Sequence, residues 1–347
     1  MSYNKILIIR TDRIGDIILS TPVIEAVRKA CPNAHIAFMT SPYTRDIVSG
    51  NPCLDEVIIY DKKGKHNSFF SAIKFISDIR KKRFDLALIL HSTNRANLIA
   101  FLAGIPKRVG YSRRLGWLLT DRLPYLKYQG LKHEMEYTLD IVRLAGISFN
   151  EQGLKPFIPV NKDAEENIAR FCKENGLNKD NVYAGMHVSA SCPSKRWTPQ
   201  KFSEAADRII GLMGCKIVIL GVGGDLEIAE QVKSNMKNNV VIAKNFTLAE
   251  TIAFIKSCKF FVATDSGPAH IAGALGVPCV TIFGRNQPGL GPARWRPMGK
   301  NVIVLHKDVG CTECLAHMCK RNFICLESIT VNEVVDAARK LNEDSNG

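Results

Sequence analysis

The chain has 347 residues, of which 46% are hydrophobic and 23% charged, a balance that excludes a disordered or fibrous protein and gives enough length for two domains. Its 47 Lys and Arg against 33 Asp and Glu leave a net charge of +14, which suits nucleic acid, an acidic membrane face or a phosphorylated substrate. No RNP motif, zinc-finger spacing or aromatic-laced basic stripe points to nucleic acid, no apolar run approaches the roughly 20 residues of a bilayer span, and no signal-peptide pattern opens the chain, so the expected location is the cytoplasm.

Short apolar runs alternate with amphipathic stretches almost from end to end. Strands are expected at Lys5–Arg10, His35–Thr40, Glu56–Tyr60, Asp85–Leu90 and Arg108–Tyr111, with helices at Ser68–Lys82, Asn94–Ala103 and His133–Ala145. The pattern breaks at Gly153–Lys162, where Pro156 and Pro159 fall. It then resumes with strands near Val182–Val188, Lys216–Gly221, Val240–Ala243, Phe260–Thr264 and Cys279–Phe283. Helices are expected at Pro199–Met213, Leu226–Met236, Leu248–Ser257 and Pro268–Leu275, with capping boxes at Thr247/Glu250 and Thr330/Glu333. This is an α/β chain of parallel sheets covered on both faces. The expected domains are residues 1–155 and 156–329, followed by a helix and tail at 330–347. Ligands in such sheets bind at the carboxyl ends of strands, so the loops that leave a strand and open a helix are the place to look.

The first such loop is Arg10-Thr11-Asp12-Arg13-Ile14-Gly15-Asp16. Gly15 permits a tight turn, and Asp16 just beyond it is either a general base or a helix N-cap, the cap being the commoner use of Asp there. The loop Thr264-Asp265-Ser266-Gly267-Pro268-Ala269-His270 follows a strand and opens a helix whose free amides and dipole favour phosphate; Pro268 suits the first turn, having no N–H. Between another strand and helix, His187 to Trp197 carries Lys195 and Arg196, which either neutralise a diphosphate or are solvated. Leu220-Gly-Val-Gly-Gly-Asp225 is not a G-x-G-x-x-G fingerprint. Its Asp225 either accepts from ribose hydroxyls or caps the next helix.

Seven of the eleven cysteines are scattered through apolar segments, as small buried hydrophobes are. The other four, Cys311, Cys314, Cys319 and Cys325, surround His317. They have the number for a tetrahedral zinc site but not a common finger spacing. Reduced thiols and disulfide pairing are the alternatives, and a cytoplasmic location disfavours disulfides.

Taken in order, the motifs resemble glycosyltransferase family 9, the lipopolysaccharide heptosyltransferases. The resemblance rests on Ile8 to Asp16, on Gly104-Ile-Pro-Lys-Arg-Val-Gly-Tyr111, on Lys195-Arg196-Trp197, and most specifically on Thr264 to His270 with its continuation to Ile282-Phe283-Gly284. It implies a GT-B architecture, two Rossmann-like domains with parallel sheets across a cleft. It also implies inverting transfer of L-glycero-D-manno-heptose from ADP-heptose to a sugar hydroxyl of the inner core. On this resemblance Asp16 is the general base in the N-terminal, acceptor-binding domain. Lys195 binds the donor diphosphate, Asp225 the ribose, Asp265 the heptose hydroxyls, and the amides of Ser266, Gly267 and Ala269 the phosphate. Asp225 stands where a Glu is expected. No D-x-D pair is present, and no cofactor or catalytic metal is expected. The acceptor would be a lipid-linked anionic oligosaccharide met in peripheral contact with the inner membrane. Its acid groups would be met by Lys62, Lys63, Lys65 and Arg113, unless these are merely solvated. The rival readings are a transferase of the same fold using another nucleotide-sugar or acceptor, and a non-catalytic nucleotide-binding relative.

Overall fold

Ile6, Leu7, Ile8 and Ile9 are buried on both faces of their strand, the mark of a central strand in a parallel sheet covered by helices. This strand, β1 (Lys5–Ile9), is flanked in register by β2 (His35–Thr40) and β4 (Leu86–Ile89), with Ile6 opposite both Ile36 and Leu86. The computed structural model describes residues 3–177, 183–311, 314 and 316–344. The chain divides into two units, Met1–Pro159 and Val160–Gly347.

The first unit adds β3 (Glu56–Ile59), β5 (Lys107–Ser112) and β6 (Asp121–Pro124), in the order β3-β2-β1-β4-β5-β6 with every pair parallel. Its helices start where the side chains say they should. Ser68 caps Phe69–Lys82, Thr93 caps Asn94–Leu102, and His133 with Glu136 boxes the start of Glu134–Leu144.

The second unit contains β7 (Tyr183–His187), β8 (Lys216–Gly221), β9 (Val241–Lys244), β10 (Phe261–Thr264), β11 (Cys279–Phe283) and β12 (Val302–His306). Their order, β12-β11-β10-β7-β8-β9 and all parallel, repeats the topology of the first unit. Both capping boxes form: Thr247 and Glu250 exchange hydrogen bonds, as do Thr330 and Glu333. In each unit the strand order reverses beside the first strand, between β1 and β4 and between β7 and β10. Such a reversal is where a ligand crevice opens in this topology.

Two strands escape the sequence pattern, as do the helices Thr21–Ala30 and Lys162–Glu174. β6 and β12 are edge strands; β6 alternates half-buried and exposed residues and ends at Pro124, and every residue of β12 is only partly buried. An edge strand has one neighbour, so little in its composition demands a strand. The helix Lys162–Glu174 is so polar that its thin apolar stripe, Ala164, Ile168 and Cys172, is easily overlooked. The C-terminal helix Val331–Asp344 is more than an appendage. Val334, Val335 and Ala338 are buried in one cluster with Trp197, Phe202 and Ile209. Among the described residues no helix is long and apolar enough to cross a membrane.

Trp197 is fully buried, and its Nε1 donates to Ile329 O at 3.2 Å, tying the approach to the C-terminal helix onto this core. Trp197→Phe keeps an aromatic ring but loses the donor and part of the volume. It should lower stability by about 1–3 kcal/mol, read as a fall in melting temperature; an unchanged melting curve would show that the bond holds nothing.

Candidate active site

β1 ends at Ile9, and Arg10 continues it by one bond, its N–H donating to Met39 O at 3.0 Å. The chain then turns into a short helix, Ile14–Ile18, whose N-cap position is taken by Arg13. Asp16 therefore lies in the first turn, and its carboxylate is not the cap. It accepts instead from Arg10 Nη2 at 2.7 Å.

Arg10 is 2% exposed and donates to Asp12, Asp16, Glu134 and Ser20 at 3.0, 2.7, 2.9 and 3.1 Å. Lys127, itself buried, donates to the same Glu134 Oε1 at 2.9 Å and lies 4.6 Å over the Tyr111 ring. His91, on the loop after β4, places Nδ1 3.2 Å from Asp12 Oδ2. Burial and then Arg10 push the His91 imidazole down to about 4, so it is neutral at pH 7. Three carboxyl groups thus face two basic side chains, and one negative charge is in excess. It falls on Asp16, which burial first and Asp12 second push up to about 7 against the pull of Arg10. A carboxyl titrating near neutrality and still 17% exposed can take a proton from a substrate at working pH.

Beside this network the first unit holds a cavity of ≈ 510 Å³, lined on its polar side by Thr11, Lys62, Lys63, Asn94, Arg95 and Arg114 and on its apolar side by Met39, Tyr60 and Ile99. Of the four predicted acceptor cations only Lys62 and Lys63 line it. Lys65 is exposed outside it, in a turn whose amides bind Asp61. Arg113 stacks 4.7 Å over Tyr125, and its neighbour Arg114, with φ of 55°, takes the place expected of it. Side-chain direction in a turn depends on such backbone angles, which charge runs do not encode.

In the second unit the loops after β7 and β10 converge in the same way. Asp265, 4% exposed, accepts from Lys195 Nζ at 2.8 Å and Arg285 Nη2 at 2.7 Å through the single oxygen Oδ2. Arg285 follows β11 and escaped sequence reading, because no local motif places it opposite Asp265. Gly284 makes room for this arrangement: a Cβ there would lie 2.5 Å from Ser194 O, so only glycine lets the Pro193–Lys195 turn seat against the end of β11. Ser266 occupies the N-cap position of Gly267–Leu275, yet its side chain makes no cap bond; its Oγ lies 3.1 Å from His187 Nδ1. The other nitrogen, His187 Nε2, is 3.2 Å from Asp225 Oδ2. Asp225 holds the N-cap position of Leu226–Asn235 without a side-chain cap bond. Burial, the largest influence, would raise its carboxyl, but the hydrogen bond from His187, the Ser189 hydroxyl and the charge of Arg196 together outweigh it and hold the carboxyl below the usual range. The capping alternative for Asp225 is thus not realised. The first-turn amides of Gly267 and Ala269 belong to a helix start, which favours an anion.

Among the described residues no three His, Cys, Asp or Glu side chains converge where they could hold a metal ion. The thiols of Cys311, Cys314, Cys319 and Cys325 are free, and two of them accept hydrogen bonds from this chain instead: Cys311 Sγ from Arg321 Nη1 and Cys319 Sγ from Phe323 N, both at 3.3 Å.

Residues 72–324 match the family model of glycosyltransferase family 9 (heptosyltransferase). The chain belongs to that family. Lipopolysaccharide heptosyltransferase 2 of Escherichia coli is 25% identical over 296 residues, covering 83% of this chain and 85% of that one. A crystal structure of the family 9 glycosyltransferase from Veillonella parvula superposes with a TM-score of 0.90 at 27% identity, over 99% of this chain and 98% of that one. The structure of E. coli ADP-heptose heptosyltransferase II superposes with a TM-score of 0.80 at 22% identity, over 99% of this chain and all of that one. The fold is accordingly of the GT-B class expected from the motifs, and this family 9 chain is a glycosyltransferase.

Asp16 should leave a signature in stability. Its carboxyl titrates near 7 in the native state and near 4 when unfolded, so the native state binds more protons between those values. Stability therefore falls as pH rises from about 4 to about 7. Asp16→Asn should remove this slope, melting above the parent at pH 8 and converging with it towards pH 4. A variant that melted lower at pH 8 would show that the Arg10–Asp16 pair supports the fold.

Proposed function

We propose that this chain transfers L-glycero-D-manno-heptose from ADP-heptose to a sugar hydroxyl of the lipopolysaccharide inner core, with inversion. The observation that carries the reading is that a family 9 chain holds a near-neutral carboxyl in one unit and a cation-flanked helix start in the other. The names of its relatives, lipopolysaccharide heptosyltransferase 2 and ADP-heptose heptosyltransferase II, support the choice of donor and acceptor.

In this reading the first unit binds the acceptor and the second the donor. Asp16 takes the proton of the acceptor hydroxyl as its oxygen attacks the anomeric carbon from the face opposite ADP. The bond from that carbon to the β-phosphate oxygen breaks, and ADP leaves with the electron pair. Lys195 and Arg285 neutralise the charge that develops, together with the amides at Ser266, Gly267 and Ala269. Asp225, held by His187, accepts from the ribose, and Asp265 Oδ1 from heptose hydroxyls, while Oδ2 keeps the two cations in place. Lys62, Lys63, Arg95 and Arg114 receive the phosphates or carboxylates of a lipid-borne acceptor, which the enzyme reaches at the cytoplasmic face of the inner membrane.

Turnover should rise with pH through about 7 and level off above, following the Asp16 carboxyl. Asp16→Asn should lose that limb and roughly two or more orders of magnitude in kcat while ADP affinity in calorimetry holds. A variant with near-normal kcat would remove Asp16 as the base.

Because side chains and a helix start neutralise the leaving group, transfer should persist in excess EDTA at an unchanged melting temperature. Activity that vanished in EDTA and returned with magnesium would overturn the metal-free mechanism.

A further inference from the structure

Two stretches of the first unit carry cations without any acid. Residues 62–77 hold four Lys and no Asp or Glu, and residues 93–119 hold five Lys or Arg and again no Asp or Glu. The same stretches expose seven large apolar side chains that the core does not claim. Phe69 is 74% exposed, Phe70 82% and Ile73 49%, all on the first turns of the helix Phe69–Lys82. Helix Asn94–Leu102 exposes Leu98, Phe101 and Leu102 by 40–45%, and the turn Gly116–Leu118 exposes Trp117 by 67%.

These segments adjoin. Helix Asn94–Leu102 touches both Phe69–Lys82 and Gly116–Leu118. Arg95 Nη1 donates to Lys62 O at 3.3 Å, and Leu115 N to Asn94 Oδ1 at 3.4 Å. The loop before Phe69 is a built feature: the Asp61 carboxylate gathers the amides of Lys63, Gly64 and Lys65, and His66 packs between Tyr60 and Phe75. Of the two acids that flank the first stretch, Asp61 is thereby turned onto its own backbone and Asp78 is paired with Lys81 at 3.1 Å, and the lysines of the loop are left to face outward. The same three segments also wall the cationic cavity through Lys62, Lys63, Arg95 and Arg114.

A protein partner is a poor match for this surface, since lysine is depleted at protein interfaces. Exposed Phe and Trp among Lys and Arg, without acids, are what an anionic bilayer rewards: the rings enter the acyl boundary and the cations meet the headgroups. We propose that Phe69, Phe70 and Ile73, flanked by Lys65 and Lys74, dock the first unit on an anionic bilayer. The lipid of the acceptor then stays in the membrane while its charged sugars reach the adjoining cavity. This inference deepens the reading of the acceptor as lipid-borne and rests on it.

The test is co-sedimentation of the full chain with vesicles of phosphatidylglycerol and phosphatidylethanolamine, against vesicles of phosphatidylcholine alone, at low and high salt. The parent should bind the anionic vesicles only, and less well in high salt. Phe69→Ser with Phe70→Ser should lower partitioning by about ten-fold or more, and Lys74→Gln should weaken it with a shallower salt dependence. Melting temperature and ADP binding should be unchanged in both, as should transfer to an acceptor oligosaccharide freed of its lipid. Absence of binding by the parent, or equal binding by the double variant, overturns the docking surface; persistent transfer to the lipid-free acceptor in that case leaves the proposed function standing. Self-association of the parent that the double variant abolishes, with vesicle binding unaltered, would assign the face to a second copy and overturn the proposal equally.

Discussion

When strand order reverses in an all-parallel sheet, the loops after the two central strands lead away from each other and leave polar space between them. Both units obey this constraint, at β1/β4 and β7/β10. Much of the charge of consequence sits there. Arg10, Asp12 and Asp16 leave β1 and His91 leaves β4; Lys195 lies on the loop after β7 and Asp265 directly after β10. The central strands are buried on both faces, so their ends are held rigidly. Side chains that follow them can be kept at hydrogen-bond distance without help from a ligand.

The two sites are built with opposite imbalances of charge. In the first unit three carboxyl groups share two cations, which makes one carboxyl reluctant to ionise and suits a base. In the second, two cations share the one oxygen of Asp265, which leaves positive charge for an arriving phosphate. A base that accepts a proton and a leaving group that carries away negative charge need these opposite settings. The proposed chemistry asks for nothing beyond them.

The buried salt bridges are organising devices more than sources of stability, since removing such charges from water costs about as much as their attraction returns. Their value is positional. Arg10 reaches across 124 residues to Glu134 and draws the helix Glu134–Leu144 to the loop after β1. Arg285 similarly ties the end of β11 to the end of β10.

Much of this was legible in the chain itself. Among the described residues the apolar runs identify ten of the twelve strands, the capping boxes at Thr247/Glu250 and Thr330/Glu333 mark helix starts, and the order of the motifs names the family, because each of these signals is local. Asp16, Lys195, Asp225 and Asp265 stood out for the same reason: each follows a strand and precedes a helix. What no local pattern could reveal is which side chains meet. Glu134, Lys127, His91, His187 and Arg285 become parts of the two sites only through contacts with residues 7 to 124 positions away. The choice between a cap and a carboxylate turned to the charge network at Asp16 was decided by where the helix starts: Arg13 takes the cap, three residues earlier, and Asp16 pairs with Arg10. Arg114 in place of Arg113 at the cavity was decided by the backbone turn that leaves one ring-stacked and the other on the wall. Local periodicity specifies elements because hydrogen bonding and burial act along a segment; charge pairing acts through space, and only the folded chain sets those distances.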